Sequence, residues 1–269
     1  MTDTQLCFVH ISDTHLNPDP NYQSQHAIHH PLVGAEALVR ELNRLPFEPD
    51  FVLHTGDVVY DPVPAAYDLA RDLLGRIPYP VYYLAGNHDE GDALQRILLE
   101  REEPLKPYHY SFEVNGVEFV CLDSNEIALV NPPVAHPAGY VGEQQLIWLD
   151  GFCSALDLRP LIVAVHHNPM QANVPWLDWM RIKNGDDLHK ILLKARNRLR
   201  GVFFGHTHQN MEFVRDGIFY SGSASSWNQF HAWPGQDETI ADRNALPGFN
   251  VVLLMSNGTL MTRRHTFKL

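Results

Sequence analysis

The 269-residue sequence predicts an α/β domain built on a largely parallel sheet with helices on its faces. Three observations carry that expectation. Short apolar runs and helical segments alternate in βαβαβα order through the first hundred residues. Five of the strand-like runs end in Asp, Asn or His. The composition, 45% hydrophobic and 19% charged, is that of an ordinary globular domain able to build a large core.

Residues 6–12, LCFVHIS, read as the first strand and run into Asp13. Residues 33–45 carry apolar side chains at helical spacing and stop before Pro46. A second strand at 51–55 ends in Gly56-Asp57, and a helix follows at 65–77. A third strand at 81–85 ends in Gly86-Asn87-His88-Asp89, with a helix at 93–101. Asn115-Gly116 between apolar runs at 108–114 and 117–122 marks a hairpin. Residues 126–140 hold three prolines and read as a loop, and 142–156 as an amphipathic helix on Leu146, Leu149 and Phe152. A strand at 161–165 leads into His166-His167-Asn168-Pro169. A helix at 186–199 precedes a strand at 202–204, which ends in Gly205-His206-Thr207-His208. The remainder, 211–267, is β-rich, with turns at Asp216-Gly217 and Asn257-Gly258. No repeat or linker interrupts the chain, so residues 1–269 read as one domain.

The formal charge of −12 argues against nucleic-acid binding, which favours a basic face. The basic stretch 190–200 reads as a solvated helix face. Three scattered cysteines, Cys7, Cys121 and Cys153, form no CxxC pair and point to a reducing compartment. With no apolar run at residues 1–6 and no long apolar span, the expectation is a cytoplasmic protein without a membrane segment.

Sixteen histidines stand out, and their placement matters more than their number. In an open α/β sheet, ligands bind beyond the carboxyl ends of the strands. Five segments therefore bring carboxylate, amide oxygen and imidazole donors to one sheet edge. Asp-x-His and His-x-His put both side chains on one side of an extended segment. Each block alone has a plainer reading, as a surface turn, a helix cap or a paired histidine. Together and in order they point to metal. The mixture suits Mn, Fe, Zn or Co better than Ca or Cu(I), and seven donors exceed the needs of one tetrahedral ion.

The set resembles the calcineurin-like metallophosphoesterase superfamily, whose blocks run D-x-H, GD, GNH followed by D or E, H, and GH-x-H. Here they are Asp13-Thr14-His15, Gly56-Asp57, Gly86-Asn87-His88-Asp89, His167 and Gly205-His206-Thr207-His208. The resemblance implies a four-layer αββα sandwich of two mixed sheets with a dinuclear site at the carboxyl edge of the strands. It assigns Asp13, His15 and His208 to one ion, Asn87, His167 and His206 to the other, and Asp57 as the bridge. His167 is preferred over His166 because it stands two residues before a proline. Within the superfamily, GDVVYDPVPAAY, GNHDE, HHNP, SASSWNQF and PGF look like bacterial class III cyclic-nucleotide phosphodiesterases and glycerophosphodiesterases. The protein phosphatases carry an Arg soon after the bridging Asp and GNHE in the third block, and this chain has neither. Gly56 to Tyr60 also fits the GDxxY of purple acid phosphatases, which lack the His of D-x-H; with His15 present, Tyr60 reads as a packing residue.

The resemblance implies two divalent or trivalent cations, Mn or Fe foremost, that activate a water between them for in-line attack on a small phosphodiester. His88 would assist the leaving oxygen, and Asp89 would either orient His88 or cap the next helix. The alternatives are a phosphomonoesterase of the purple-acid kind and a non-catalytic scaffold. His10 and His54 read as core residues or supports of the ligands, and His26, His29 and His30 as a solvated loop. Trp176, Trp179, Trp227 and Trp233 lie near late motifs, where an aromatic ring can stack on a nucleobase. Loops 126–140 and 228–246 are expected to shape the pocket. By analogy with class III relatives, a homodimer using the β-rich end is the expected partner state.

Overall fold

The computed structural model describes residues 3–24, 28–126 and 137–269. Its strands are β1 (Thr4–Ile11), β2 (Phe51–His54), β3 (Val81–Tyr83), β4 (Tyr110–Val114), β5 (Val117–Cys121), β6 (Leu161–Ala164), β7 (Leu199–Phe204), β8 (Glu212–Arg215), β9 (Ile218–Gly222), β10 (Gly248–Met255) and β11 (Leu260–Thr266). The helices are α1 (Pro31–Leu42), α2 (Pro64–Leu74), α3 (Gly91–Ala93), α4 (Glu143–Ser154), α5 (Pro175–Asp178) and α6 (Gly185–Leu192). One sheet has the order β11-β10-β1-β2-β3 and the other β4-β5-β6-β7-β9-β8. Both are mixed: β1, β2 and β3 run parallel beside antiparallel β10 and β11, and β5, β6, β7 and β9 run parallel between antiparallel β4 and β8.

Side-chain alternation builds the layers. In β1, Leu6 and Phe8 face a core shared with Phe51, Phe119, Phe203 and Val252, between the sheets. Val9 and Ile11 point the other way, onto Ala35, Leu38 and Leu42 of α1 and Ala66, Ala70 and Leu73 of α2. On the far side, Val163, Val202 and Phe204 pack against Leu149 of α4 and Leu188 and Leu192 of α6. The order is helices, sheet, sheet, helices, the expected αββα sandwich. Phe8 stacks on Phe51 at 5.2 Å and meets Phe119 and Phe203 edge-on, so aromatic rings fill the middle layer.

Several boundaries differ from expectation for tertiary reasons. The helix foreseen at 93–101 is a three-residue α3 followed by a π turn at Leu94–Leu98, after which the Gln95 side chain ties Gly91 and Leu105 carbonyls together. The helix foreseen at 186–199 stops early because Leu199 pairs with Leu161 as the start of β7. The turn at Asn115-Gly116 is as foreseen, with both residues at positive φ, 51° and 72°. Of the proline-rich loop, residues 127–136 lie outside the described residues, as do His26 and His136. All three cysteines are free.

The basic stretch at 190–200 is not uniformly solvated. Arg198 is 6% exposed, with Nη1 3.3 Å from the Glu118 carboxylate and guanidinium donors to the carbonyls of Arg159 and Phe152 at 3.0 and 2.7 Å. Arg198→Ala leaves those carbonyls without their donor, and is expected to lower stability by about 3 kcal/mol. A urea titration reads this as a lower midpoint at constant slope; a change below about 1 kcal/mol would show the pair to be peripheral.

For the site, what matters is the shared rim. The carboxyl ends of β1, β2, β3, β6 and β7 open on one edge, and an isolated parallel bridge between Ser12 and Ser225 ties the two sheets together there.

Candidate metal centre

The chain turns sharply at each strand end. Among the described residues nine non-glycine positions have φ in the left-handed region, and five are Asp13, His15, Asp57, His206 and His208. Such backbone costs about 1 kcal/mol or more per residue and clusters at functional sites. Two glycines make room for it. A Cβ on Gly86 would stand 2.1 Å from Asp57 Oδ1, and one on Gly56, at φ 101°, would stand 2.6 Å from His166 Nδ1.

The donors converge. His15 Nε2 lies 3.0 Å from His208 Nε2 and 3.7 Å from Asp13 Oδ1, and His208 Nε2 lies 3.5 Å from the same oxygen. Asp57 Oδ2 is 3.5 Å from His15 Nε2 and 3.3 Å from His166 Nε2, which is itself 3.1 Å from Asn87 Oδ1. Asp57 thus stands between the two groups. His206 joins through its ring, 5.1 Å from that of His166, and its Nε2 is buried with no hydrogen-bond partner.

Supporting hydrogen bonds orient the rings. His208 Nδ1–H donates to the Asn228 carbonyl at 2.8 Å and His166 Nδ1–H to the Thr55 carbonyl at 2.7 Å, so each turns Nε2 into the cluster. The backbone N–H of His206 donates to both Asp13 oxygens at 3.2 and 3.0 Å. His10 and His54 act as supports: His10 Nε2 meets Thr55 Oγ1 at 3.0 Å. The Gly56 N–H donates to His54 Nδ1, whose Nε2–H donates to Thr14 Oγ1 at 3.0 Å.

The geometry brings both His167 and His166 to the cluster: ligand atoms of His166, His167 and His206 lie within 4.8 Å of one another. The His167 ring lies 4.5 Å from that of His206, yet both its nitrogens are engaged elsewhere. Nδ1 accepts from Ser124 Oγ at 2.7 Å and Nε2–H donates to the Pro137 carbonyl at 2.9 Å. The two neighbouring rings lie 5.0 Å apart and both approach His206, but His166 is the one whose Nε2 meets Asp57 and Asn87. Proximity to a proline in sequence does not report this.

His88 follows Asn87 as expected and lines the cavity. Its backbone N–H donates to Asp57 Oδ1 at 2.8 Å, and its Nδ1–H donates to the Tyr60 carbonyl at 2.7 Å, leaving Nε2 as the free ring position. Asp89 neither touches that imidazole nor caps α3. Its carboxylate accepts N–H groups of Gly86, Val58 and Val59 at 2.9, 3.1 and 3.2 Å, clamping the second and third blocks together. The Tyr60 ring packs obliquely on Tyr22 at 4.7 Å.

These residues fit cations. Donors bound to one ion at about 2.0–2.2 Å stand roughly 3.0–3.5 Å apart, and the separations above, 3.0 to 3.7 Å, are on that scale. Burial opposes charge on Asp13 and Asp57, but the surrounding imidazoles outweigh it and hold both carboxyls well below the usual range. Burial dominates at His15 and His206, pulling them down to about 4 and about 3. At His166 burial is overcome by the attraction of Asp57 and Asp13, which raises it to about 9; the field that holds a proton there would also hold a cation. Ionised carboxylate and neutral imidazole are the metal-binding forms.

Beside the donors lies a cavity of about 220 Å³ also lined by Tyr60, Trp176, Trp227 and Phe230. Trp176 and Trp227 are buried at its edge, whereas Trp179 and Trp233 are 46% and 67% exposed. Phe230, Met180, Ser24 and Thr239 also line it and were not foreseen, since no local pattern marks them. Loop 228–246 is an ordered excursion that shapes the pocket, held by pairing of Phe230 with Ala241. His30 is tied to the Tyr22 carbonyl, His189 sits between Tyr220 and Asp216, and neither reaches the cluster. Among the described residues no helix is long and apolar enough to cross a membrane.

Comparison with known proteins bears on this constellation. A family model described as calcineurin-like phosphoesterase matches residues 7–210. The chain is 30% identical over 227 residues to a 3′,5′-cyclic-nucleotide phosphodiesterase of Nostoc sp., covering 84% of this chain and 80% of that protein. It is 30% identical over 263 residues to a 3′,5′-cyclic adenosine monophosphate phosphodiesterase of Pseudomonas aeruginosa, covering 97% and 90%. The fold also matches the crystal structure of a dimetal phosphatase from Danio rerio, with a TM-score of 0.69, 16% identity, and coverage of 98% and 100%.

Proposed function

The chain belongs to the calcineurin-like phosphoesterase family and is a metal-dependent phosphoesterase; on that premise we propose that it hydrolyses small phosphodiesters. Cyclic nucleotides are the leading class and glycerophosphodiesters the second. The observation that carries this reading is the placement of Asp57 between two donor groups, with His88 and an aromatic-walled cavity beside them. Asp13, His15 and His208 would hold one cation and Asn87, His166 and His206 the other, with Asp57 shared. Oxygen and imidazole donors without thiolate suit Mn or Fe, with Zn or Co also accommodated. When bound, two such cations supply Lewis acidity toward phosphate oxygens and lower the pKa of water.

The protein's own groups do the rest. The Tyr60 carbonyl fixes His88 through Nδ1–H, so Nε2 is presented to the cavity; with both ring nitrogens protonated, His88 would give its Nε2 proton to the departing oxygen and be left as the neutral imidazole. Trp227 and Phe230 pack beside the donors, 5.8 Å from His15 and 5.1 Å from His208, and with Trp176 give the cavity an apolar lining. The Tyr60 ring packs against both Tyr22 and His88 at 4.7 Å, in keeping with a packing role beside the site.

The test is turnover by Mn²⁺-reconstituted protein of bis(p-nitrophenyl) phosphate against p-nitrophenyl phosphate. The diester is expected to be preferred; hydrolysis of the monoester alone would replace this reading with a phosphomonoesterase. In the same assay His88→Ala is expected to lower kcat by about 10²-fold for cyclic AMP, whose alkoxide needs a proton, and by less for p-nitrophenolate. An equal loss on both would make His88 a positioning residue.

A further inference from the structure

Beyond Phe230 lies a second cavity of about 210 Å³ that shares this ring with the catalytic cavity. Phe230 is a thin partition: its ring stands 5.1 Å from that of His208. Gln209 and Asn210, which line the second cavity, follow His208 directly in the chain. Its lining is unlike the first: two carboxamides, His231, Asp242 and Trp233 make it polar with one broad aromatic face.

We infer that this lobe is the subsite for the heterocyclic base of a nucleotide substrate, with Trp233 as the stacking face and Gln209 and Asn210 reading the edge of the base. Three observations carry the inference. Trp233 is 67% exposed on a pinned backbone: its main-chain N–H donates to Gln236 Oε1 at 3.2 Å, its carbonyl accepts from Gln236 N–H at 3.0 Å, and its ring lies within 20° of parallel to that of His231 at 6.2 Å. An exposed indole lining a cavity is a ready stacking platform. Among the described residues, the Gln209 side-chain amide makes no hydrogen bond, while Asn210 uses only Oδ1, from Ala224 N–H at 3.4 Å, so donors and an acceptor remain for a ligand. Finally, the one carboxylate is already engaged: Asp242 accepts N–H groups of Asn244 and Ala245 at 2.9 and 3.2 Å and faces His231 at 3.5 Å. The lobe therefore offers a flat face and amide edges, which match a base, rather than the free charge a cationic headgroup would seek.

The inference deepens the phosphodiesterase reading and rests on it for its catalytic readout alone. Two measurements separate them. Calorimetry on Mn²⁺-loaded protein is expected to show AMP binding at least tenfold tighter than ribose 5-phosphate, which lacks the base, and Trp233→Ala to remove most of that difference. Equal affinity for the two ligands, or a difference that survives Trp233→Ala, overturns the subsite. In turnover, Trp233→Ala is expected to lower kcat/KM for cyclic AMP about 10- to 100-fold more than for methyl p-nitrophenyl phosphate. A wild-type protein that binds AMP through Trp233 but hydrolyses neither diester would sink the phosphodiesterase reading and leave the subsite standing. Trp233 is exposed, so an unchanged thermal midpoint confirms that the variant is folded.

Discussion

Asp57→Asn is expected to lower kcat/KM for any phosphodiester by about 10³-fold or more, even at saturating Mn²⁺. The carboxylate is 2% exposed and stands between His15 and His166 at 3.5 and 3.3 Å, where no other group can serve both sides. Asn keeps the shape and can still accept the His88 N–H now held at 2.8 Å, but it removes the negative charge that both ions would share. Elemental analysis after desalting should find fewer than two ions per chain, while the thermal midpoint of chelator-treated protein stays within a few degrees of wild type. Two retained ions and activity within tenfold of wild type would show that Asp57 is not the shared donor, and the dinuclear reading would fall.

The second large effect discriminates between adjacent histidines. His166→Ala should remove one ion and cost about 10² to 10³ in kcat/KM, because Nε2 faces Asn87 Oδ1 at 3.1 Å and Asp57 Oδ2 at 3.3 Å. His167→Ala should keep two ions and instead lower stability by about 1–3 kcal/mol, since it strands Ser124 Oγ and the Pro137 carbonyl. Metal content and a denaturant midpoint, measured on both variants, give opposite patterns under this assignment. Metal loss on the His167 variant alone would restore the reading made from sequence.

That pair shows where sequence reading stops. Strand ends at Asp13, Asp57, Asn87 and His206 were legible because each is a local pattern, an apolar run followed by a polar turn. The fold class was legible for the same reason, as was the type I′ hairpin at Asn115-Gly116. The side to which His166 points was not, because it depends on the Thr55 carbonyl and Asp57, both more than a hundred residues earlier. Asp89 misled in the same way: it resembles a local cap, but its partners Val58 and Val59 lie about thirty residues back. The insertion of β10 beside β1 joins Thr4 to Met255, a pairing no window of sequence reports. Trp176 and Trp227 were legible as candidates, but not that Trp176 meets the segment carrying Trp227 and Phe230 at one cavity, which only the tertiary fold decides.

The left-handed backbone at Asp13, His15, Asp57, His206 and His208 limits how such a centre can be re-engineered. Apart from glycine, Asn, Asp and His are the residues that tolerate this conformation best. They are also good oxygen and nitrogen donors. A designer seeking a different ion therefore has a narrow alphabet: exchanges within those three keep the chain path, whereas Glu, Gln or Cys would meet a conformational penalty before any question of ligand preference arose.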